Sequence, residues 1–326
     1  MFAFGLPRWT QHSLRPICAL AMLALASGAA LAAEDEATQA TYDTPQAAVD
    51  ALIAAVKSGE TEEIVDVLGE EGYDIAESGD EVADADTRDR FIAAYEEKHK
   101  LNSGDSRATL IVGEEDFPFP IPIVKADDRW HFDTEAGVEE ILDRRIGDNE
   151  IAAIETLRVY VDAQREYADV DRDGKGPQYA RKLASSEGKT DGLYWPTKEG
   201  EAESPLGPLV ADARAEGYRK RDDGPTPYHG FLFRILTAQG ENAPGGAQDY
   251  ILSGRMIGGF GMVAAPAEYG NSGVMTFVVD QDGNVYQSDL GDDTAEIAAE
   301  MTTFDPDETW TLVPADEEAG DSGATP

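Results

Sequence analysis

A single cysteine, Cys18, lies in this 326-residue chain, and it sits among the first residues, so no disulfide can brace the folded part. Basic residues are scarce as well: 26 Lys and Arg stand against 65 Asp and Glu, a formal net charge of −39. Such a surface repels nucleic acid and anionic lipid. Beyond residue 32 there is no apolar run of the roughly 20 residues a spanning helix needs. No nucleophile stands with a placed base, and no phosphate fingerprint occurs, for Gly258, Gly259 and Gly261 do not fit G-x-G-x-x-G. With neither disulfide nor metal cage, apolar burial has to supply the stability, and the length suffices for two modest cores.

The segment 1–32 reads as a signal peptide. Arg8 and Arg15 supply positive charge, Pro16 to Leu31 is an apolar run, and Ala30-Leu31-Ala32 gives the small-x-small pattern of a cleavage site. Cys18 lies near the start of that run, where a lipid-accepting cysteine would stand at its end. The leader holds two of the 26 basic residues and no acid, so its removal takes the balance from −39 to −41. Export to the periplasm or the cell exterior is expected, with no stable membrane insertion after cleavage. The acids are spread along the whole chain, which favours a solvated acidic shell over focused cation capture.

Residues 33–43 are small and polar, a flexible mature N-terminus. Residues 44–146 form a first α+β unit. Thr44 and Pro45 open a helix with Val49, Leu52, Ile53 and Val56 on one face, and Gly59 closes it. Thr61 caps a second helix that ends at Gly69, and a third runs from Thr87 to Glu97. A strand is expected over 108–112, and 121–125 with 129–132 make a hairpin. The prolines of Phe117 to Pro122 place that run at a sheet edge or rim. Helices followed by a curved antiparallel sheet resemble the cone-shaped folds of nuclear transport factor 2 type, a likeness of architecture only. His131, with Asp133 two residues on, reads as a surface histidine rather than a general base.

Residues 147–313 form the second unit. A short helix is expected from Gly137 to Arg145, and Asp148 or Asn149 starts a longer one with Ile151, Ile154, Leu157, Val161 and Ala168 as its stripe. The stretch from Tyr250 to Leu290 reads as an antiparallel sheet with a turn at Asp282-Gly283 and glycines that serve close packing. Arg255 is a candidate buried ion-pair member, Trp310 to Val313 a last strand, and 314–326 an acidic disordered tail.

These segments carry two resemblances. NEIAAIETLRVYVDAQREYADVDRDGKG (149–176) and APAEYGNSGVMTFVVDQDGNVYQSD (265–289) are similar, in that order, to the long helix and closing sheet of type IV pilin and pseudopilin heads. The chain lacks the membrane half of that helix, which implies a pilin-like head rather than a fibre subunit. More specifically, PFPIP (118–122), DGLYWP (191–196), SPLGPL (204–209), YHGFLFRILTAQG (228–240) and RMIGGFGMVAAPAEYGNSGVMTF (255–277) resemble a bacterial exported family known as domain of unknown function 2950. That resemblance implies an envelope or secreted location and brings no activity with it.

Candidate sites are few. Asp169, Asp171 and Asp173 before Gly174 copy the opening of a calcium loop, yet the twelfth position is Ala180 where a bidentate Glu belongs. The loop is therefore either a partial Ca2+ site or a polar helix ending. Trp195, in an irregular crossing, is a partner-binding candidate or a core or lid residue, and His229 is a second partner-binding candidate. Ser272 in a Gly-flanked turn lacks the oriented base and oxyanion hole that a catalytic serine needs, so no catalytic residue is assigned. The leading expectation is a binding or structural accessory protein that engages an envelope protein; the alternative is a hydrolase or other enzyme with a site in the first unit or between the units.

Overall fold

In the computed structural model, which describes residues 39–198, 200–219 and 225–314, the chain starts with a helix that its own sequence caps. Thr44 is extended and its Oγ1 accepts from the Ala47 N–H at 3.1 Å; Pro45 follows, and α1 (Pro45–Ser58) ends at Gly59 in the left-handed conformation. Its stripe, Val49, Leu52 and Ile53, is buried. The second helix, α2 (Thr61–Leu68), begins at Thr61 rather than being capped by it: that hydroxyl donates to Glu77. A short α3 (Gly72–Ala76), unmarked by any apolar period, follows. Helix α4 (Glu81–Glu97) starts six residues before the expected Thr87. Asp80 is the reason, since one carboxylate oxygen accepts from the N–H groups of Val82 and Ala83, each at 3.2 Å. The first turns of α4 carry almost no apolar side chains, so periodicity gives no sign of them.

An antiparallel sheet then forms from β1 (His99–Ser103), β2 (Arg107–Val112), β3 (Phe117–Pro118), β4 (Ile123–Ala126) and β5 (Arg129–Phe132). The order is β1-β2-β4-β5, with β3 paired to β2. The proline run lies at the rim as expected, contributing two paired residues only. The β4–β5 hairpin turns on Asp127 and Asp128, both with positive φ, which Asp tolerates better than most residues. Helices α1 and α2 pack over β5, and Leu52, Leu110, Ile121, Ile123 and Phe132 make the core between them.

Next comes α5 (Val138–Ala168), one continuous helix of 31 residues where two were expected. Gly147 at its interior costs about 1 kcal/mol relative to Ala, which the packing on either side of it offsets. Neither Asp148 nor Asn149 acts as a cap. The buried stripe is also rotated: Ala153, Leu157, Tyr160, Val161, Gln164 and Tyr167 face inward, whereas Ile151 is 48 % exposed. Two aromatic and one amide side chain occupy positions that an aliphatic-only reading assigns to the surface.

After α6 (Gly207–Glu216) the chain lays down β6 (Phe231–Leu236), β7 (Ala238–Gln239), β8 (Gln248–Asp249), β9 (Ile251–Leu252) and β10 (Arg255–Met256). It goes on through β11 (Gly261–Pro266), β12 (Met275–Val279), β13 (Val285–Asp289), α7 (Thr294–Glu300), β14 (Thr303–Phe304) and β15 (Thr311–Leu312). The main sheet has the order β15-β13-β12-β11-β6, all neighbours antiparallel. Alternation on β11 and β12 sends Met262, Ala264, Phe277 and Val279 towards the α5 core, and Val263 and Val278 to a second core with Leu236 and Phe304. Both faces being covered, the strands read as unbroken apolar runs. The β12–β13 connection is built on Asp280, whose carboxylate accepts from Asp282 N, Asn284 N and Asn284 Nδ2, rather than on Asp282-Gly283 alone. Gly259, at φ 144°, has no room for a Cβ, which would lie 2.8 Å from the Tyr250 ring. The fold class is thus α+β.

The described residues belong to one compact unit. Polar groups buried between its cores join the helices of the first part to the sheet of the last. Asp80, 1 % exposed, turns its second oxygen to the Tyr218 hydroxyl and the Gly230 N–H, both at 2.9 Å. Arg145 of α5 donates to the carbonyls of Asp74 and Ile75 and to Asn271 Oδ1, and Asn149 Nδ2 donates to the Ser272 carbonyl at 2.9 Å. Asn271 in turn donates to Glu77 O and Glu268 Oε2. Gly230 is fixed here by space: at φ 71°, a Cβ would stand 2.5 Å from Asn149 Nδ2. Asp84 takes the Ser78 N–H and hydroxyl; burial pushes its carboxyl above the ordinary 3.8, against the opposing pull of those bonds and of Arg145.

Two outcomes are expected. Asp80→Ala removes a helix cap and strands Tyr218 and Gly230, lowering stability by about 3 kcal/mol in denaturant unfolding, whereas an exposed control such as Asp86→Ala stays within about 0.5 kcal/mol. The folded state holds a proton on Asp84 more readily than the unfolded chain does, so the stability it contributes is full at low pH and is lost as pH rises through the folded value. Asp84→Asn cannot ionise; its stability relative to the parent should therefore climb as pH rises above the ordinary carboxylate value of 3.8 and level off once the folded Asp84 has ionised.

Candidate functional site

The last turn of α5 and the loop after it build a cleft. Gln164, wholly buried, acts as a two-sided clamp: its Nε2 donates to Ala180 O at 2.9 Å and its Oε1 accepts from Ala180 N at 2.8 Å. Tyr179 N donates to Met256 O, so the extended segment around 178–182 is held between helix and sheet. That segment then pairs with 193–194, through Leu193 N to Lys182 O and Tyr194 N to Leu183 O. Buried Tyr167 packs from the helix and donates its hydroxyl to Thr190 O at 2.8 Å.

Between these supports lies a cleft of about 360 Å³ lined by Tyr167, Gln178, Tyr179, Arg181, Lys182 and Asp191. Lys182 Nζ and Asp191 Oδ2 are 2.8 Å apart, and the Ser186 N–H donates to Asp191 Oδ1 at 2.7 Å. The Lys182 hydrogen bond and then the Ser186 amide hold the Asp191 carboxyl well below the usual carboxylate range, so it stays an acceptor through the physiological range. Arg181 spends one N–H on Gly254 O at 3.1 Å. Its other N–H groups, the Tyr179 hydroxyl and the Gln178 amide oxygen have no partner among the described residues. Behind the wall, the Arg172 guanidinium lies over Tyr167, 4.0 Å from the ring centre, and 5.4 Å from the Trp195 ring, while Arg214 lies over Tyr194 at 5.2 Å. Charge reverses sign here. From Arg172 to Lys198 the chain has six basic residues and three acidic ones, in a protein of net charge −39.

The sequence candidates separate into two places. Asp169 is the C-cap residue of α5, in helical conformation. Asp171 and Asp173 both turn a carboxylate oxygen to the Lys175 N–H at 3.1 Å, and Asp173 also takes Gln178 Nε2 and lies 3.8 Å from Arg255 Nε. Loop amides and Gln178 thus engage Asp171 Oδ1 and both oxygens of Asp173. Among the described residues no group of three or more His, Cys, Asp or Glu is arranged to hold a metal ion. Arg255 is half of that long ion pair, half-buried where a buried pair was expected, and is further held by Gly176 O. Trp195 is half-buried against the core and joins the cleft through Arg172.

His229 belongs elsewhere, at φ 47° in a cluster with the Tyr218 and Tyr228 rings, its Nε2 3.5 Å from Glu216 Oε2. Ser272 Oγ is engaged inside its own turn, accepting from Glu268 N and donating to Glu268 O. Sequence reasoning does not single out Tyr179, Arg181, Lys182 or Asp191 as site residues. The local excess of basic residues in an acidic chain is the signal that marks their neighbourhood. The expected signal peptide at 1–32, most of the expected flexible segment 33–43 and nearly all of the expected tail, from 315 on, lie outside the described residues.

A family model described as "Protein of unknown function (DUF2950)" matches residues 39–313. No curated protein and no solved structure matches the chain significantly.

Gln164→Leu keeps the volume and removes both bonds to Ala180 and the one to Tyr160. It should cost about 2–3 kcal/mol and speed hydrogen exchange at the Ala180 amide by about tenfold or more, while amides on β12 keep their protection.

Proposed function

The chain belongs to the DUF2950 family of proteins of unknown function, and on that premise we propose that it is an exported binding or structural accessory protein of the periplasm or cell exterior. It engages another envelope component through the face around Trp195. The observation that carries this reading is the gathering of Arg172, Arg214, Tyr167, Tyr194 and Trp195 beside a net-basic cleft in an acidic protein. Arg, Tyr and Trp are the side chains that concentrate binding energy, and stacking fixes the two guanidinium groups before a partner arrives, which lowers the ordering cost of association.

Export rests on the leader reading of residues 1–32. No helix among the described residues is long and apolar enough to cross a membrane. Helix α5 against β11 and β12 supports the pilin-like reading of the second half, and α1 with α2 over β5 supports the cone-like reading of the first.

Sedimentation with isolated envelope fragments tests the proposal. Full-length protein should pellet with the fragments, and Trp195→Ala and Arg172→Ala should each reduce the bound fraction by about fivefold or more, the loss expected when one binding hot spot is removed. Melting curves identify any variant that has merely unfolded. Equal binding by parent and folded variants would remove the Trp195 face from consideration.

A further inference from the structure

We infer that the cleft beside Arg181 binds a sugar ring that carries a carboxylate, a uronic acid residue in chemical class. The inference rests on the reading of this face as the binding surface and names what enters its cleft.

Three demands come from the lining. Tyr179, half-buried, contributes the aromatic surface of the lining, with a small exposed part of Tyr167 beside it, which suits the C–H face of a pyranose. Asp191 and the Gln178 amide oxygen are acceptors and require donors on the ligand; a carboxylate has about four lone-pair sites, and Asp191 uses three, on Lys182, Ser186 N and Ser186 Oγ. Arg181, with only one N–H committed, presents positive charge to the opening, while Lys182 has its Nζ on Asp191 and Ser186 and so offsets the charge of Asp191. Sugar hydroxyls meet the second demand because each both donates and accepts. A carboxylate meets the third, since a guanidinium with free N–H groups binds it through two parallel bonds.

Neither a bare polycarboxylate nor a neutral sugar satisfies all three. A polycarboxylate would face Asp191 with like charge and give it no donor. A neutral sugar would leave the Arg181 N–H groups without an anion. At about 360 Å³ the space falls at the lower end of the roughly 300–1,000 Å³ of ligand sites, the size for a small saccharide rather than a folded partner. The surrounding acidity adds selectivity: over the roughly 8 Å screening length of physiological salt, the long-range field repels polyanions, and only the local basic segment attracts them.

Calorimetric titration of the full chain with digalacturonate, with neutral digalactose and with citrate tests the inference. Digalacturonate should bind about tenfold or more tightly than either of the others, and Arg181→Gln, at an exposed position, should weaken it by about tenfold without moving the melting temperature. Lys182→Gln should weaken it too, and raising salt should weaken digalacturonate more than digalactose. Equal affinity for digalactose, or for citrate, overturns the assignment. Absence of binding by all three, with envelope sedimentation still dependent on Trp195 and abolished by protease treatment of the fragments, overturns it as well and leaves the envelope-binding proposal standing with a protein as partner.

Discussion

One buried carboxylate, that of Asp80, accepts four hydrogen bonds from three parts of the chain, and the arrangement of the two halves depends on it. It starts α4, takes the Tyr218 hydroxyl, and takes the Gly230 N–H just ahead of β6. A carboxylate removed from water is costly unless each of its lone pairs is met, and here they are. Any rearrangement that withdrew one donor would leave charge in an apolar place. Such networks add little net stability compared with well-packed hydrocarbon. What this one supplies is a fixed relation between helices and sheet that apolar contacts, being non-directional, do not specify.

Helix α5 carries that relation from one core to the site. Arg145 and Asn149 near its start bind the turns around Ile75, Asn271 and Ser272; Leu157 and Val161 fill the core; Gln164 and Tyr167 near its end position the cleft. Burial of Leu157 and Val161 contributes about 1.5–3 kcal/mol each, while the polar residues fix rotation about the helix axis. The exposed Ile151 and the wholly buried Gln164 belong to the same fact: the helix is turned so that its hydrogen-bonding groups meet theirs.

The electrostatics of the site follow from scarcity. In a chain with 65 acids, most basic side chains would be expected to find a carboxylate, yet Arg172, Arg181 and Arg214 are set on carbonyls and ring faces. Ring faces and carbonyls hold a guanidinium without cancelling its charge. Lys182 is neutralised by Asp191, which makes that pair a dipole at the cleft wall rather than a charge. The result is a small region of positive potential whose reach is limited by the acids around it.

Much of the framework was legible in the chain. Thr44-Pro45 and Gly59 bound a helix by local chemistry, the prolines of 117–122 lack the donors for a central strand, and the apolar runs of β11 and β12 between glycine-rich turns mark an antiparallel sheet. These features depend on neighbours in sequence, so sequence alone determined them. The continuity of α5 through Gly147 and the inward turn of Gln164 did not show, because each is decided by a partner more than a dozen residues away, Asn271 and Ala180; the start of α4 at Asp80 is a local cap that stayed hidden because almost no apolar side chains follow it. The candidate site divides in the same way. The Asp169 loop and Trp195 stood out by residue type, but only folding placed Arg172 between Tyr167 and Trp195 and set Arg181 and Asp191 on one cleft. Composition determined an acidic, disulfide-free α+β chain of apolar cores; the tertiary structure decided where its few cations are held off the acids, since hydrogen bonds between distant residues leave no period in the sequence.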